Sequence, residues 1–260
     1  MIMIAGNAVR PEDLGASYAP GSVEKEIIST LASSDEKYRY DSLNELNFEL
    51  WLRKEIIAAS RALNKSGLGF EVFRKTRCNP AFWTRTGEGG FLLKSGVKPS
   101  EAIQDIFNNG SEYGTECATG MMIVYYKALL SIYPESLFNR TFPKIELMNW
   151  HHIDRLLQEV GLMWKRKEYL PGDRRYFANP DVDPITPEWQ GENVIDLGGG
   201  LYYGHGMGIE KADTIVRALN QNRTEDADES AHLLDSAGRP DFKKLGDIYY
   251  RATLTPAQSA

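Results

Sequence analysis

The sequence predicts an α+β protein in which helices come first and a cluster of short strands follows. Three observations carry this. An amphipathic stripe begins after Ser42, an almost uninterrupted apolar stretch follows Cys117, and from Ile145 onward short strand-like runs alternate with turns. With 42% apolar and 25% charged residues, the 260-residue chain has the composition of an ordinary globular protein. One domain is expected over 1–260, with 1–35 as a loosely organised lead-in and 224–260 as a peripheral polar segment.

The elements follow in order. Pro11, Gly15, Pro20 and Gly21 make the first 35 residues turn-rich. Ser42-Leu-Asn-Glu45 is a capping-box pattern, and behind it Phe48, Leu52, Ile56, Ala59 and Leu63 recur at helical spacing until Gly67. Phe70-Glu-Val-Phe73 and Phe91-Leu-Leu93 read as short strands or aromatic loops. Pro99 opens a second helix that ends near Asn109-Gly110. The apolar run after Cys117 has the length of a buried helix and stops before Pro134. Ile145-Glu-Leu-Met, Glu168-Tyr-Leu, Arg175-Tyr-Phe-Ala, Asn193-Val-Ile-Asp-Leu and Leu201-Tyr-Tyr are strand-like, and 211–220 returns to a helical pattern.

Charge and cysteine usage exclude several classes. Thirty Lys+Arg against 36 Asp+Glu leave a net charge of −6, without the basic footprint of a nucleic-acid binder. No run reaches the roughly 18 apolar residues of a membrane span. Met1-Ile-Met-Ile-Ala-Gly lacks the charged and apolar regions of a secretory leader, so a cytosolic location is expected. Cys78 and Cys117 are too few for a disulfide framework or a cysteine-rich zinc site, and both are expected to be free thiols.

The chemistry concentrates at Ser111-Glu-Tyr-Gly-Thr-Glu-Cys-Ala-Thr-Gly. Cys117 stands at the start of the apolar helix, with Thr115 a candidate N-cap. Free N–H groups and the helix dipole favour a thiolate there, and are expected to lower the thiol pKa from about 8.5. A nucleophilic cysteine at a helix N-terminus, followed by a small antiparallel sheet, is the layout of papain-like and NlpC/P60-like cysteine enzymes. The alternative is a buried structural cysteine. Three bases are candidates: Glu116, whose side chain diverges from Cys117 on a helix; Glu192, just before a strand; and His205, between glycines. His151 and His152 are adjacent and diverge, which disfavours a shared metal.

Several segments carry a more specific resemblance. Glu116-Cys-Ala-Thr, Trp189-Gln-Gly-Glu-Asn-Val-Ile and Tyr203-Gly-His-Gly-Met-Gly-Ile resemble the small spore-coat transglutaminases, the protein-glutamine gamma-glutamyltransferases of endospore-forming bacteria. Similar segments are Met1-Ile-Met-Ile-Ala-Gly, Phe48-Glu-Leu-Trp-Leu-Arg, Asn64-Lys-Ser-Gly and Asn149-Trp-His, in register up to about Ile209. The resemblance implies a single catalytic domain with Cys117 as nucleophile, Glu192 as its principal partner and Glu116 able to assist. His205 and Asn193 would support them, and Trp150, Trp189 and Phe70 would line a substrate tunnel. It implies no cofactor and no metal, calcium included. The partners would be proteins with accessible glutamine and lysine, spore-coat proteins among them, and neither nucleic acid nor membrane. The site of action would be the mother-cell cytoplasm, with deposition on the coat. Two features depart from the family: Asn149 stands where an acidic residue is usual, and the chain after Gly208 follows the pattern poorly.

Competing readings are weaker. Ile195-Asp-Leu-Gly-Gly-Gly resembles the glycine-rich loop of S-adenosylmethionine-dependent methyltransferases, but only about 60 residues follow it, too few for the remaining βα units. Asp181-Val-Asp183 with Glu192 at the twelfth position mimics a calcium loop, yet Ile185 and Thr186 occupy the fifth and sixth positions. A thiol peptidase or amidase remains the nearest enzymatic alternative, and a non-catalytic coat scaffold the alternative of another class.

Overall fold

The computed structural model describes residues 1–254. Eight helices are present among them: α1 (Pro11–Gly15), α2 (Val23–Ser33), α3 (Leu43–Lys65), α4 (Pro99–Asn108), α5 (Cys117–Ile132), α6 (Glu135–Thr141), α7 (Ala212–Asn220) and α8 (Phe242–Leu254). The stripe read from the sequence is the buried face of α3, with Phe48, Leu52, Ile56, Ala59 and Leu63 all buried. Its capping box forms. Ser42 accepts the Glu45 N–H at 3.3 Å, and the Glu45 carboxylate takes the N–H of Asp41 at 2.7 Å, one residue earlier than the standard pattern. Helix α5 is buried on nearly every side, which explains its lack of amphipathic period.

Short strands surround this helical centre. β1 (Ile2–Ile4) lies between β2 (Asn7–Ala8) and β3 (Tyr38–Tyr40), β4 (Gly69–Phe70) pairs with β7 (Gly114–Thr115), and β6 (Phe91–Leu93) lies between β5 (Trp83–Arg85) and β8 (Glu146–Leu147). The principal sheet has five antiparallel strands: β9 (Arg174–Ala178), β10 (Gly191–Asp196), β11 (Leu201–Gly204), β12 (Gly208–Lys211) and β13 (His232–Leu233), in the order β12-β11-β10-β9-β13. Ile195 and Tyr203 pack into the core around α5, while Val194 and Phe177 pack with Ile215 and Leu219 of α7. Glu168-Tyr-Leu forms no strand; the Tyr169 ring instead lies under the Arg175 guanidinium at 3.7 Å. Gly198, Gly199 and Gly200 turn β10 into β11 with φ of 79°, 60° and 75°. The glycine-rich segment is therefore a hairpin turn and not a strand-to-helix phosphate loop, which removes the methyltransferase reading.

Two expectations about the chain ends are corrected. Residues 1–35 are not a loose lead-in: Ile2, Ile27, Ile28 and Leu31 form a second core with Leu46, Leu50 and Leu170. The apolar residues there are spread over short segments, so no sustained period marks them in the sequence. The C-terminal part is polar on one face only. Leu245 of α8 is buried, Tyr249 stacks on Tyr133 with centroids 6.1 Å apart, and the Tyr133 hydroxyl donates to the Leu245 carbonyl at 2.7 Å. The expected loose end beyond residue 254 lies outside the described residues.

A buried ionic knot ties these parts together. Arg53 of α3 donates to Glu49 at 2.8 Å, to Asp173 at 2.8 Å and to the Pro171 carbonyl at 2.9 Å, with its guanidinium 4.7 Å from the Phe242 ring centroid. Arg239 reaches the same Asp173 carboxylate at 2.6 and 2.8 Å. Burial alone would raise the Asp173 carboxyl, but Arg53 and Arg239 together hold it below the usual carboxylate range. Removing one member of such a cluster leaves the others buried and uncompensated. Asp173→Asn should therefore cost about 3–5 kcal/mol of stability in denaturant unfolding; a loss below about 1 kcal/mol would show that the knot is not structural.

Candidate active site

Cys117 is the first residue of α5, and its sulfur faces a cleft of about 560 Å³. The arrangement is that of the papain-like layout, a cysteine-bearing helix start packed against an antiparallel sheet that follows it in the chain. The helix is capped by Glu116 and not by Thr115, because Thr115 is committed to β7 and the extended backbone at Glu116 ends the strand. The Glu116 carboxylate takes the N–H groups of Ala118 at 2.6 Å and Thr119 at 2.8 Å. Those two donors are thus consumed by the cap. Thr119 in turn accepts the N–H of Asn149 at 2.8 Å, tying the 149–150 corner to the helix. Asn149 has φ of 50°, a left-handed conformation that a short amide side chain tolerates, and its Oδ1 accepts the Trp150 N–H at 2.6 Å.

Strand β10 brings the second set of groups. Asn193 donates from Nδ2 to the Cys117 sulfur at 3.5 Å. Glu192 is 5% exposed and its Oε1 has no hydrogen-bond partner, so a carboxylate oxygen is buried unsatisfied next to the thiol's field. The glycines of Tyr203-Gly-His-Gly make room for this group: a Cβ at Gly204 would stand 2.7 Å from Glu192 Oε1, and one at Gly206 would stand 2.8 Å from the Phe70 ring. Glu192 also borders a small second cavity of about 90 Å³, shared with Trp189, His205 and Leu219. Phe70, Glu188 and Gly191 line both cavities.

The electrostatics invert one expectation. The Cys117 thiol is pushed up to about 12, first by burial and then by the charges of Glu192 and Glu116, against lowering by Asn193 hydrogen bonds. Position at a helix start does not make it acidic here, because the cap is itself an anion and the sulfur is desolvated. Glu192 lies well above the usual carboxylate range, through burial and then Glu116. Glu116 is also raised, by burial, with its hydrogen bonds to Thr119 and Ala118 opposing. A thiolate flanked by two ionised carboxylates is thus disfavoured.

His205 occupies a different place from a catalytic base. Its Nε2 lies 3.1 Å from the Gly69 carbonyl and 3.2 Å from that of Thr115, which requires a proton on that nitrogen. Burial lowers its pKa to about 4, so it is neutral at pH 7 and braces the strand that leads into α5. Trp150 and Phe70 line the cleft as expected, but Trp189 does not; it stands on the smaller cavity and packs with α7 residues. Arg174 and Tyr176, on β9, line the cleft; in the sequence Tyr176 carried no signal beyond lying in a strand-like run, and Arg174 none. The imitation calcium loop is used internally: Asp181 accepts the N–H groups of Asp228 and Glu229, and Asp183 that of Ile185.

Glu192→Gln removes one of the two negative charges that raise the thiol. Cys117 should then titrate at lower pH, read as the pH profile of its iodoacetamide alkylation followed on the Cys117 peptide. An unchanged or higher titration would contradict this electrostatic account.

Comparison with known proteins places the chain in a family. The family model described as protein-glutamine gamma-glutamyltransferase matches residues 1–249. A protein of that name from Bacillus cereus is 43% identical over 261 residues, spanning 100% of this chain and 92% of its own length. One from Bacillus mycoides is 44% identical with the same coverage. Among solved structures, a transglutaminase from Geobacillus stearothermophilus, without its C-terminal extension, is 48% identical with a TM-score of 0.75, covering 80% of this chain and 98% of that one. The family match runs well past Gly208, where the likeness was expected to fade, and takes in α7 and much of α8. The chain therefore belongs to the protein-glutamine gamma-glutamyltransferase family.

Proposed function

We propose that this chain, as a single catalytic domain, joins protein glutamine to lysine, with Cys117 as nucleophile and Glu192 as the group that exchanges its proton. The observation that carries this reading is a desolvated thiol on an aromatic cleft, within the electrostatic reach of a buried carboxylate that has an unpartnered oxygen. In the first half-reaction Cys117 Sγ attacks the γ-carboxamide carbon while its proton passes to Glu192. The C–N bond breaks, Glu192 returns the proton to the leaving nitrogen, and ammonia departs from a thioester. In the second, a lysine ε-amine attacks the thioester carbon and loses a proton to Glu192. The C–S bond breaks, the isopeptide bond remains, and the thiol is reprotonated.

A carboxylate of ordinary pKa is a poor base toward a thiol, and the raised Glu192 is better matched to both proton transfers. Glu116 is tied up in capping, which supports an electrostatic and positional role for it. Asn193 supplies an N–H to sulfur at each stage where sulfur gains charge. Phe70, Trp150 and Tyr176 line an approach that disfavours water, so that an amine wins the thioester over hydrolysis. The finer setting, crosslinking of spore-coat proteins in the mother cell and deposition on the coat, is proposed on the resemblance to spore-coat enzymes and the Bacillus origin of the similar proteins.

The test is incorporation of a labelled primary amine into a glutamine-rich protein with EDTA present. Incorporation should proceed, vanish in Cys117→Ala and fall at least about 100-fold in Glu192→Gln. Full transfer in Glu192→Gln would remove that residue from the mechanism. Deamidation or cleavage without incorporation would move the chain to the thiol hydrolases.

A further inference from the structure

Arg174 opens β9 beside the nucleophile and is 2% exposed. Its neighbour Arg175 leaves the opposite face of the strand and binds the Leu234 and Ser236 carbonyls. The partners of Arg174 are of another kind. Its Nε donates to the Val160 carbonyl at 2.7 Å, its Nη1 donates to Asn193 Oδ1 at 2.6 Å, and its guanidinium carbon lies 4.4 Å from the Trp150 ring centroid. Among the described residues no carboxylate pairs with it, in contrast to buried Arg53, which has Glu49 and Asp173. A cation buried without a counter-ion costs stability and calls for a compensating use. Burial pulls it down to about 10, and the groups whose ionisation would favour its charge are Tyr125, Cys117 and Tyr176. Of these, Cys117 is the one that gains negative charge in thioester chemistry.

The hydrogen bonds have a direction that follows from chemistry alone. Arginine has donors and no acceptor, so the atom of Asn193 that faces it must be the oxygen. The amide nitrogen is then forced to the other side, where it meets the Cys117 sulfur at 3.5 Å. Without the guanidinium the amide could turn, and an oxygen lone pair would then face a sulfur that must become negative.

We propose that Arg174 is the positioning residue of the nucleophile: it holds Asn193 Oδ1 so that the amide N–H points at the Cys117 sulfur. The assignment rests on Cys117 acting as the nucleophile. It predicts that Arg174 works through Asn193, so that the two residues contribute to one term and not to two.

The experiment is a double-mutant cycle on amine incorporation with Arg174→Lys, Asn193→Ala and their combination, and Cys117→Ala alongside. Arg174→Lys should lower kcat at least about tenfold, equivalent to about 1.4 kcal/mol of barrier, with KM little changed and slower alkylation of Cys117. The double variant should lose no more than Asn193→Ala alone. Asn193→Asp, which keeps a partner for Arg174 but has no N–H for the sulfur, should lose kcat with an unaltered melting temperature; this arm stands even if Arg174→Lys folds poorly. Additive losses in the cycle, or full activity in either Arg174→Lys or Asn193→Asp, would overturn the assignment while an inactive Cys117→Ala left the nucleophile in place. Transfer persisting in Cys117→Ala would instead overturn the reading of the site itself, and this inference with it.

Discussion

A sulfur atom at the first residue of a buried helix, held in the field of two buried carboxylates, sets the conditions that the rest of the site meets. Cys117 cannot simply ionise there, since burial and the charges of Glu192 and Glu116 all oppose it. In the proposed chemistry the proton moves within the site, so groups that fix geometry matter as much as groups that carry charge. The cap by Glu116 anchors the helix start, Asn193 supplies the N–H to sulfur, and glycines at 204 and 206 allow Glu192 and Phe70 to come close. His205 braces the strand that leads into α5. The wider scaffold keeps these pieces in register through α5, packed on α3 on one side and on the principal sheet on the other.

This arrangement separates two properties that often travel together in thiol enzymes. Acidity of the cysteine is given up, and desolvation of the cleft is kept. A dry aromatic approach slows attack by water, while a carboxylate raised by burial can accept a proton from an incoming ammonium. In the proposed mechanism, charge-neutral exchange between sulfur and Glu192 avoids building up a third anion beside Glu116. The same low-dielectric surroundings make a single misoriented amide at Asn193 expensive, which is why an arginine without a counter-ion is tolerated next to it.

Much of this was legible in the residues, and what was not has physical causes. Local patterns survived folding: the stripe and cap of α3, the buried run of α5, and the strand–glycine–strand hairpin at 191–204 all form where periodicity and turn chemistry place them. Cys117 and Asn193 were each picked out through resemblance, as nucleophile and supporting residue, and the structure brings their side chains together. Long-range pairing was invisible. Arg53 meets Asp173 across 120 positions, and the core of the first helices is assembled from Ile2, Leu31, Leu46 and Leu170. The thiol's acidity was misjudged because helix position is a local signal, whereas desolvation and the approach of Glu192 are consequences of the whole fold. Trp189 was placed on the cleft by motif; the 3₁₀ turn at Pro187–Trp189 instead directs it to the smaller cavity. Arg174 gave no signal, since its role depends on which face of β9 turns toward β10 and Trp150.

The central claim is that the acyl group passes through the Cys117 sulfur. Its most direct test is to mix the enzyme with a glutamine-donor peptide in the absence of any amine, quench in acid, and locate the adduct by mass spectrometry. The account predicts a thioester on the Cys117 peptide, with the donor's mass less one ammonia, that disappears on adding a primary amine. Amine incorporation with no adduct at Cys117, or an adduct confined to another residue, would contradict it.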